Sequence, residues 1–176
     1  MAQSEVDRTP DRPWSVPARV DDLPALGRHV RLEPSPDLLA ALAKPAGVEA
    51  VERLVAAFDL TPRGTGVHVG GRVTATVRQT CSITLEPMCN EIDEAVDVDY
   101  VAASAAPGQD VAGEDEPEPL TGNSIDLGML ATEFLILGVD PYPRKADAAF
   151  EPPAAEEPAH PFAALAGWNK KGAVKE

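Results

Sequence analysis

The sequence predicts an α+β protein: an antiparallel, partly closed, barrel-like sheet with a packed late helix and a few short helices. Residues 66–80 and residues 91–102 each alternate apolar and polar side chains with the period of two that is typical of strands. Residues 126–138 carry an apolar stripe with the period of a helix. Because aromatic residues make up only 5% of the 176 residues, we expect a core of Val, Leu, Ile and Ala.

The first half of the chain begins with short elements. Residues 29–35 alternate apolar and charged side chains and are predicted to form a short strand. Residues 34–44 are predicted to form a helix, since Ser35 suits the N-cap and Pro36 suits the first helical position. Residues 47–60 fit either a helix or a strand.

The clearest strand covers residues 66–80. Its valines share one parity, whereas His68, Arg72 and Arg78 share the other parity and are expected to face solvent. The Gly70–Gly71 pair in its middle indicates a bulge or a bend.

Residues 91–102 are predicted to form the partner strand. Asp97 and Asp99 alternate there with apolar residues, which is typical of a half-buried strand with an acidic outer face. The segment 81–90 contains a proline and is expected to supply the turn, so that the two strands pair in antiparallel fashion.

The late helix is predicted over residues 126–138. Ser124 or Asp126 is expected to cap its N-terminus, and Gly138 its C-terminus. Its apolar stripe consists of Leu127, Leu130, Ala131, Phe134 and Leu137.

The domain organisation follows from composition. We predict a disordered lead at 1–13, one α+β domain at 14–140 with a mobile acidic loop at 103–121, and a flexible tail at 141–176. The tail ends in a short amphipathic motif that can dock on a partner or pack on the chain's own core. Its apolar contacts are Phe162, Leu165 and Trp168.

The formal charge of −14 is concentrated in one stretch. Residues 91–125 carry ten acidic and no basic side chains. An acidic surface disfavours binding of nucleic acid over the whole protein and adhesion to anionic membranes, because both depend on Lys and Arg. The local acidity does not exclude a focused RNA contact on the strand face opposite the acidic one. No apolar run is long enough to span a bilayer and no secretory leader is recognisable, so we expect a cytoplasmic location.

The sequence contains no catalytic constellation, and we predict that the protein is not an enzyme and holds no cofactor. Cys81 lacks a recognisable partner base and is interpreted as a structural thiol. A metal site would have to use Cys81, Cys89 and His68, which do not form a metal-binding motif.

A small basic patch is the most distinctive local feature. Arg72 and Arg78 share one strand face, with two threonines between them. The patch is either a set of solvated strand residues or a contact surface for an RNA backbone or a protein partner.

The order of several motifs resembles the YceD-like family, which is associated with accumulation of large-subunit ribosomal RNA in bacteria and plastids. The resemblance rests on GRVTATVRQTCSITLEP at 71–87, the acidic strand VDVDY at 96–100, the helix IDLGMLATEFLIL at 125–137, PYPR at 141–144 and PFAAL at 161–165.

The family pattern typically ends the first strand in Cys-x-Arg-Cys-Leu-Glu-Pro. Cys81 matches the first cysteine, whereas Ile83 and Thr84 stand at the arginine and the second cysteine. Some relatives carry further Cys or His after the late helix, and here the region 140–144 has none. The resemblance therefore implies no zinc site in this chain. The end of the motif is matched by Leu85, Glu86 and Pro87.

The resemblance implies a non-enzymatic role in ribosome biogenesis, as a factor in accumulation, processing or assembly of large-subunit rRNA. The expected partner is a basic ribosomal protein or an assembly factor, attracted by the acidic segment, with large-subunit rRNA as a further candidate. An adaptor that binds only protein stays open, as does a small cytoplasmic metal- or small-molecule-binding module. The candidate contact residues are Arg72, Arg78, Cys81, Leu85, Glu86, Pro87, Asp97, Asp99, Phe162, Leu165 and Trp168.

Overall fold

The computed structural model describes residues 13–64, 66–102, 117–120 and 122–150. Within these ranges no helix is long and apolar enough to cross a membrane. The elements in chain order are β1 (Pro17–Arg19), a 3-10 turn (Val20–Asp22), β2 (Arg28–Leu32), α1 (Pro36–Ala46), β3 (Ala50–Arg63), β4 (Gly66–Thr80), β5 (Pro87–Ala102), β6 (Glu118–Leu120), β7 (Ser124–Asp126) and α2 (Leu127–Gly138).

Five of the strands form one sheet in the order β2-β3-β4-β5-β6. All neighbours in it are antiparallel except β5 and β6, which are parallel, and β1 pairs separately with β7. The predicted α+β fold and the antiparallel β4–β5 pair are confirmed. The predicted partial closure is not found: in the described part of the chain, β2 and β6 remain the two edges of the sheet.

One face of the sheet is covered and the other is open. α1 packs on β3, and α2 packs on β4 and β5, so the core lies between these helices and the inner face of the sheet. Phe58, Leu60 and Leu42 are among the largest fully buried side chains. The opposite face of the long central strands stays in contact with solvent.

The ambiguous segment 47–60 is resolved in favour of a strand. α1 ends at Gly47, whose left-handed φ of 66° lets its N–H reach the carbonyl of Lys44. From Ala50 onward, burial of Leu54, Ala56, Phe58 and Leu60 follows the strand period.

Of the two alternatives predicted at Gly70–Gly71, a bulge or a bend, the bulge is not found. The pairing of β4 with both neighbours runs through these residues without a shift, and the irregularity of β3 lies between Val51 and Arg53. Glycine is needed at 71 for another reason: a Cβ there would collide with the carbonyl oxygen of Ala57 on β3. The residue permits a close approach of two backbones.

Asp126 is the N-cap of α2, as one of the two predicted alternatives has it. Its Oδ1 accepts hydrogen bonds from the N–H groups of Gly128 and Met129, both at 3.1 Å. The same carboxylate accepts the N–H of Val16 at 2.8 Å and the hydroxyl of Ser15 at 2.6 Å, which ties the N-terminal segment to the helix.

Two predictions for the end of α2 are wrong. Gly138 is the last helical residue rather than a left-handed cap, and it is small because a Cβ would collide with Ile92 of β5. Leu135 is fully buried, whereas Leu137, which was expected on the apolar stripe, is 74% exposed. The buried row steps by four residues from Leu127 through Ala131 to Leu135, and Leu137 lies off this row.

The predicted loop 103–121 is structured at its end, where Glu118–Leu120 form β6. Residues 103–116 lie outside the described residues, as do 1–12 and 151–176.

Candidate functional site

The open face of the sheet carries the predicted basic patch. Arg72 and Arg78 both point outward from β4, together with the threonines between them, as the strand period predicts. The two guanidinium side chains are about half exposed, at 57% and 48%.

Both arginines are paired with carboxylates from neighbouring strands. Arg72 Nη1 lies 2.5 Å from Asp93 Oδ1 on β5, and Arg78 Nη1 lies 3.6 Å from Glu52 Oε1 on β3. Arg78 also lies 4.0 Å from Glu49. The patch is therefore locally neutralised, and no large positive field extends from it.

The acidic residues Asp97 and Asp99 lie on the same sheet face as the arginines, not on an opposite one. The register places them across from Gly70 and His68. His68 Nδ1 is 3.0 Å from Asp99 Oδ1 and 3.7 Å from Asp97 Oδ1. The side chain of Asp97 is nevertheless 86% exposed.

His68 itself is half-buried, whereas the sequence indicated an exposed position. Its side chain is 18% exposed. A Cβ at Gly70 would lie 3.3 Å from His68 Nε2, so the glycine leaves room for the imidazole to lie along β4. The arrangement holds the imidazole beside the carboxylates of β5.

The loop between β4 and β5 forms the second part of the site. The N–H of Cys81 donates to the carbonyl of Glu86 at 2.9 Å, and the N–H of Leu85 donates to the carbonyl of Cys81 at 3.0 Å. Leu85 adopts a left-handed φ of 58°, which closes the turn and leaves its side chain 76% exposed. Pro87 then begins β5 opposite Thr80.

The chain after α2 is bound to this loop, a contact that the sequence did not predict. The N–H and the hydroxyl of Ser82 both donate to the carbonyl of Pro143, at 2.8 and 2.7 Å. Lys145 Nζ lies 2.8 Å from Glu86 Oε2. In the sequence, this contact is indicated by the opposite charges of Glu86 and Lys145. Acidic and basic residues are too common for that to identify a pair 59 residues apart.

Cys81 lies at the centre of this contact and is fully buried. Its Sγ accepts N–H groups from Thr84 and Lys145, both at 3.5 Å. Hydrogen bonds from the Thr84 side chain and from these N–H groups lower the pKa of the thiol to about 6, although burial opposes the shift. Across the same contact, Lys145 lowers the pKa of Glu86, and Glu86 raises that of Lys145.

We expect the Cys81 thiol to titrate with a midpoint of about 6, which can be read from the ultraviolet absorbance of the thiolate in a Cys89→Ser variant. Because the folded state favours the thiolate, its contribution to stability is present above the pKa of an unfolded thiol, about 8.5. That contribution declines as the pH falls through about 6. Thr84→Val should raise the midpoint, and an unchanged midpoint in that variant would contradict the assigned cause.

The candidate metal ligands are not brought together. Cys81 is buried in the loop, Cys89 is exposed on β5 opposite Arg78, and His68 lies ten residues from Arg78 along β4, a distance of roughly 33 Å. Among the described residues, no group of three or more His, Cys, Asp or Glu is placed to hold a metal ion.

A cavity of about 590 Å³ lies between α2 and the junction of β5 with β6. Tyr100, Glu118, Glu133 and Phe134 are among its lining residues. Burial, followed by the charges of Glu133 and Glu118, raises the pKa of Tyr100 to about 12. None of the predicted site residues that the structure describes lines this cavity. The docking motif with Phe162, Leu165 and Trp168 falls outside the described residues.

Comparison with known families gives one match. A family model described as large ribosomal RNA subunit accumulation protein YceD matches residues 69–167, which is more than half of the chain. The match begins inside β4 and includes the loop around Cys81, β5 and α2. No curated protein and no solved structure matches the chain.

Proposed function

Because the chain belongs to the large ribosomal RNA subunit accumulation protein YceD family, we propose that it is a non-enzymatic ribosome biogenesis factor acting in the cytoplasm. In this proposal it promotes accumulation of large-subunit rRNA by binding a basic ribosomal protein or a basic assembly factor. The description of the family names an effect on rRNA accumulation and no catalysed reaction.

The observation that carries the choice of a protein partner is the charge pairing on the open sheet face. A phosphate group that approached Arg72 would have to displace Asp93, and one that approached Arg78 would have to displace Glu52. A cationic side chain meets the opposite situation, since the exposed carboxylate of Asp97 is directly accessible to it. The face therefore favours a basic protein over an RNA backbone.

The β4–β5 loop supplies a second contact in this proposal. Leu85 is held outward by its left-handed backbone, with Glu86 and Pro87 beside it. The hydrogen bonds around buried Cys81 fix this loop against Pro143 and Lys145, so that an exposed apolar side chain is presented on a rigid support. Phe162, Leu165 and Trp168 stay a predicted docking motif.

Depletion of the protein should lower large-subunit rRNA relative to small-subunit rRNA, because an assembly factor for one subunit affects the stability of that subunit's rRNA. The measurement is the ratio of the two mature rRNAs after depletion and after re-expression. An unchanged ratio would refute the proposed role.

A pull-down of the full chain from lysate, with and without RNase and at two salt concentrations, identifies the kind of contact. We expect capture of a basic protein that survives RNase and weakens as salt increases, since exposed charges are screened. Loss of all partners after RNase treatment would instead assign the contact to RNA.

A further inference from the structure

We propose that the free edge of β5 binds an extended basic segment of the partner, which adds a strand to the sheet. This inference rests on the proposed function and specifies the form of the partner: a stretch of chain in which basic and apolar residues alternate. The surface consists of the backbone edge from Pro87 to Asp99 and the side chains on either side of it.

Among the described residues, most of this edge has no pairing partner. β4 pairs with β5 from Pro87 to Tyr100, whereas β6 pairs only with Tyr100, Val101 and Ala102. In the described part of the chain, no strand lies on the other side of Pro87–Asp99. Alternate residues of this stretch therefore direct N–H and C=O groups away from the sheet, which is the template for strand addition.

The outward side chains next to this edge are acidic. The row reads Glu91, Asp93, Ala95, Asp97, Asp99, and each of these residues is exposed. Cross-strand neighbours on one face lie roughly 5 Å apart, so Lys or Arg at alternate positions of an added strand would lie beside these carboxylates. The ion pairs of Asp93 with Arg72 and of Asp97 and Asp99 with His68 do not prevent these contacts, because a carboxylate can accept several hydrogen bonds.

The same row disfavours a second copy of the chain. An antiparallel pair of β5 strands centred on Ala95 would place Asp93 of each copy opposite Asp97 of the other. Like charges directly opposite each other destabilise strand pairing. The edge is thereby protected against self-association while it stays complementary to a basic strand.

On the inner side of the β5 edge, an added strand would contact mainly apolar side chains. On the inner face of β5 next to α2, Ile92 and Val96 are buried and Val98 is half-buried. Between Ile92 and Val98 this row is apolar except at Glu94, which is half-buried. Alternate side chains of an added strand would extend this inner row. Alternation of basic and apolar residues in the partner follows from these two rows.

The test uses the full chain and a fluorescent peptide that alternates lysine and valine and is as long as the stretch Cys89–Asp97. The control peptide carries proline in place of valine, which preserves the charge but removes backbone donors. We expect the valine peptide to bind about tenfold more tightly at equal salt, because only this peptide can form the full ladder. Asp97→Lys should weaken its binding by a similar factor, whereas Asp59→Lys, on the same face but on β3, should not.

Hydrogen exchange locates the contact. Protection gained on binding should fall on alternate amides of β5 between Cys89 and Asp97. Equal binding of the two peptides would reduce the contact to simple charge attraction and would overturn the proposal. So would protection of these amides in the free protein, which would assign the edge to another segment of this chain or, if the protein is dimeric, to a second copy. If depletion lowers large-subunit rRNA and the peptide does not bind, this inference fails while the proposed function stands.

Discussion

Replacement of Gly71 by alanine should destabilise the protein by about 3 kcal/mol, a large share of the 5–15 kcal/mol typical of a domain. The new Cβ would lie inside van der Waals contact of the Ala57 carbonyl oxygen and 3.0 Å from Phe58 Cα. Both atoms belong to the backbone of β3 and cannot rotate away. The strand would have to move, and fully buried Phe58 would move with it.

Gly70→Ala is the matched control. A Cβ at that position meets the imidazole of His68 at 3.3 Å, and the end of a side chain can shift at small cost. We expect this variant to differ from the natural protein by less than about 1 kcal/mol. Urea denaturation of the two variants provides the comparison. Equal midpoints would show that β3 and β4 tolerate a Cβ at either position.

The central strands could be predicted from the sequence because they obey one strong rule. From Val67 to Val77, β4 alternates apolar and polar residues except at the Gly70–Gly71 pair, and its burial follows the same parity. Residues 47–60 could not be assigned, since their spacing suits both periods and only pairing with β4 selects the strand. Whether the sheet closes could not be predicted either, because closure depends on how the edge strands lie in space.

The candidate site was predictable in its residue types but not in its contacts. Arg72 and Arg78 lie on one exposed face, as expected, but their pairing with Asp93 and Glu52 depends on the register of β4 with its neighbours. The environment of Cys81 depends on Lys145, which lies 64 residues away. Local patterns contain no information on contacts over such separations.

Charge reversal on β5 should abolish the function of the protein in cells, whereas charge reversal on β4 should not. Asp97→Lys combined with Asp99→Lys places two cations where the proposal requires the partner's own cations. Like-charge juxtaposition at an interface costs several kcal/mol, so partner affinity should fall by at least about tenfold. Expressed in depleted cells, this variant should fail to restore large-subunit rRNA.

Arg72→Glu combined with Arg78→Glu is the opposing variant. It removes the partners of Asp93 and Glu52, so the face becomes more acidic and still accepts a basic strand. A function that depended on phosphate contacts would be lost in this variant instead. If the partner is a basic protein, the β4 variant should restore the ratio of large- to small-subunit rRNA and the β5 variant should not. If the function depends on phosphate contacts, the β4 variant should fail to restore it.

A loss of folding stability should not account for a difference between the β5 and β4 double variants. The ion pairs of Arg72 and Arg78 are exposed, with side chains 41–60% accessible, and each contributes at most about 1 kcal/mol. The side chains of Asp97 and Asp99 are 86% and 48% accessible, while that of their neighbour His68 is 18% accessible. Thermal melting of both double variants should show that each is folded at the growth temperature. If the β5 variant restores large-subunit rRNA and the β4 variant does not, the functional contact is with RNA and not with a basic protein.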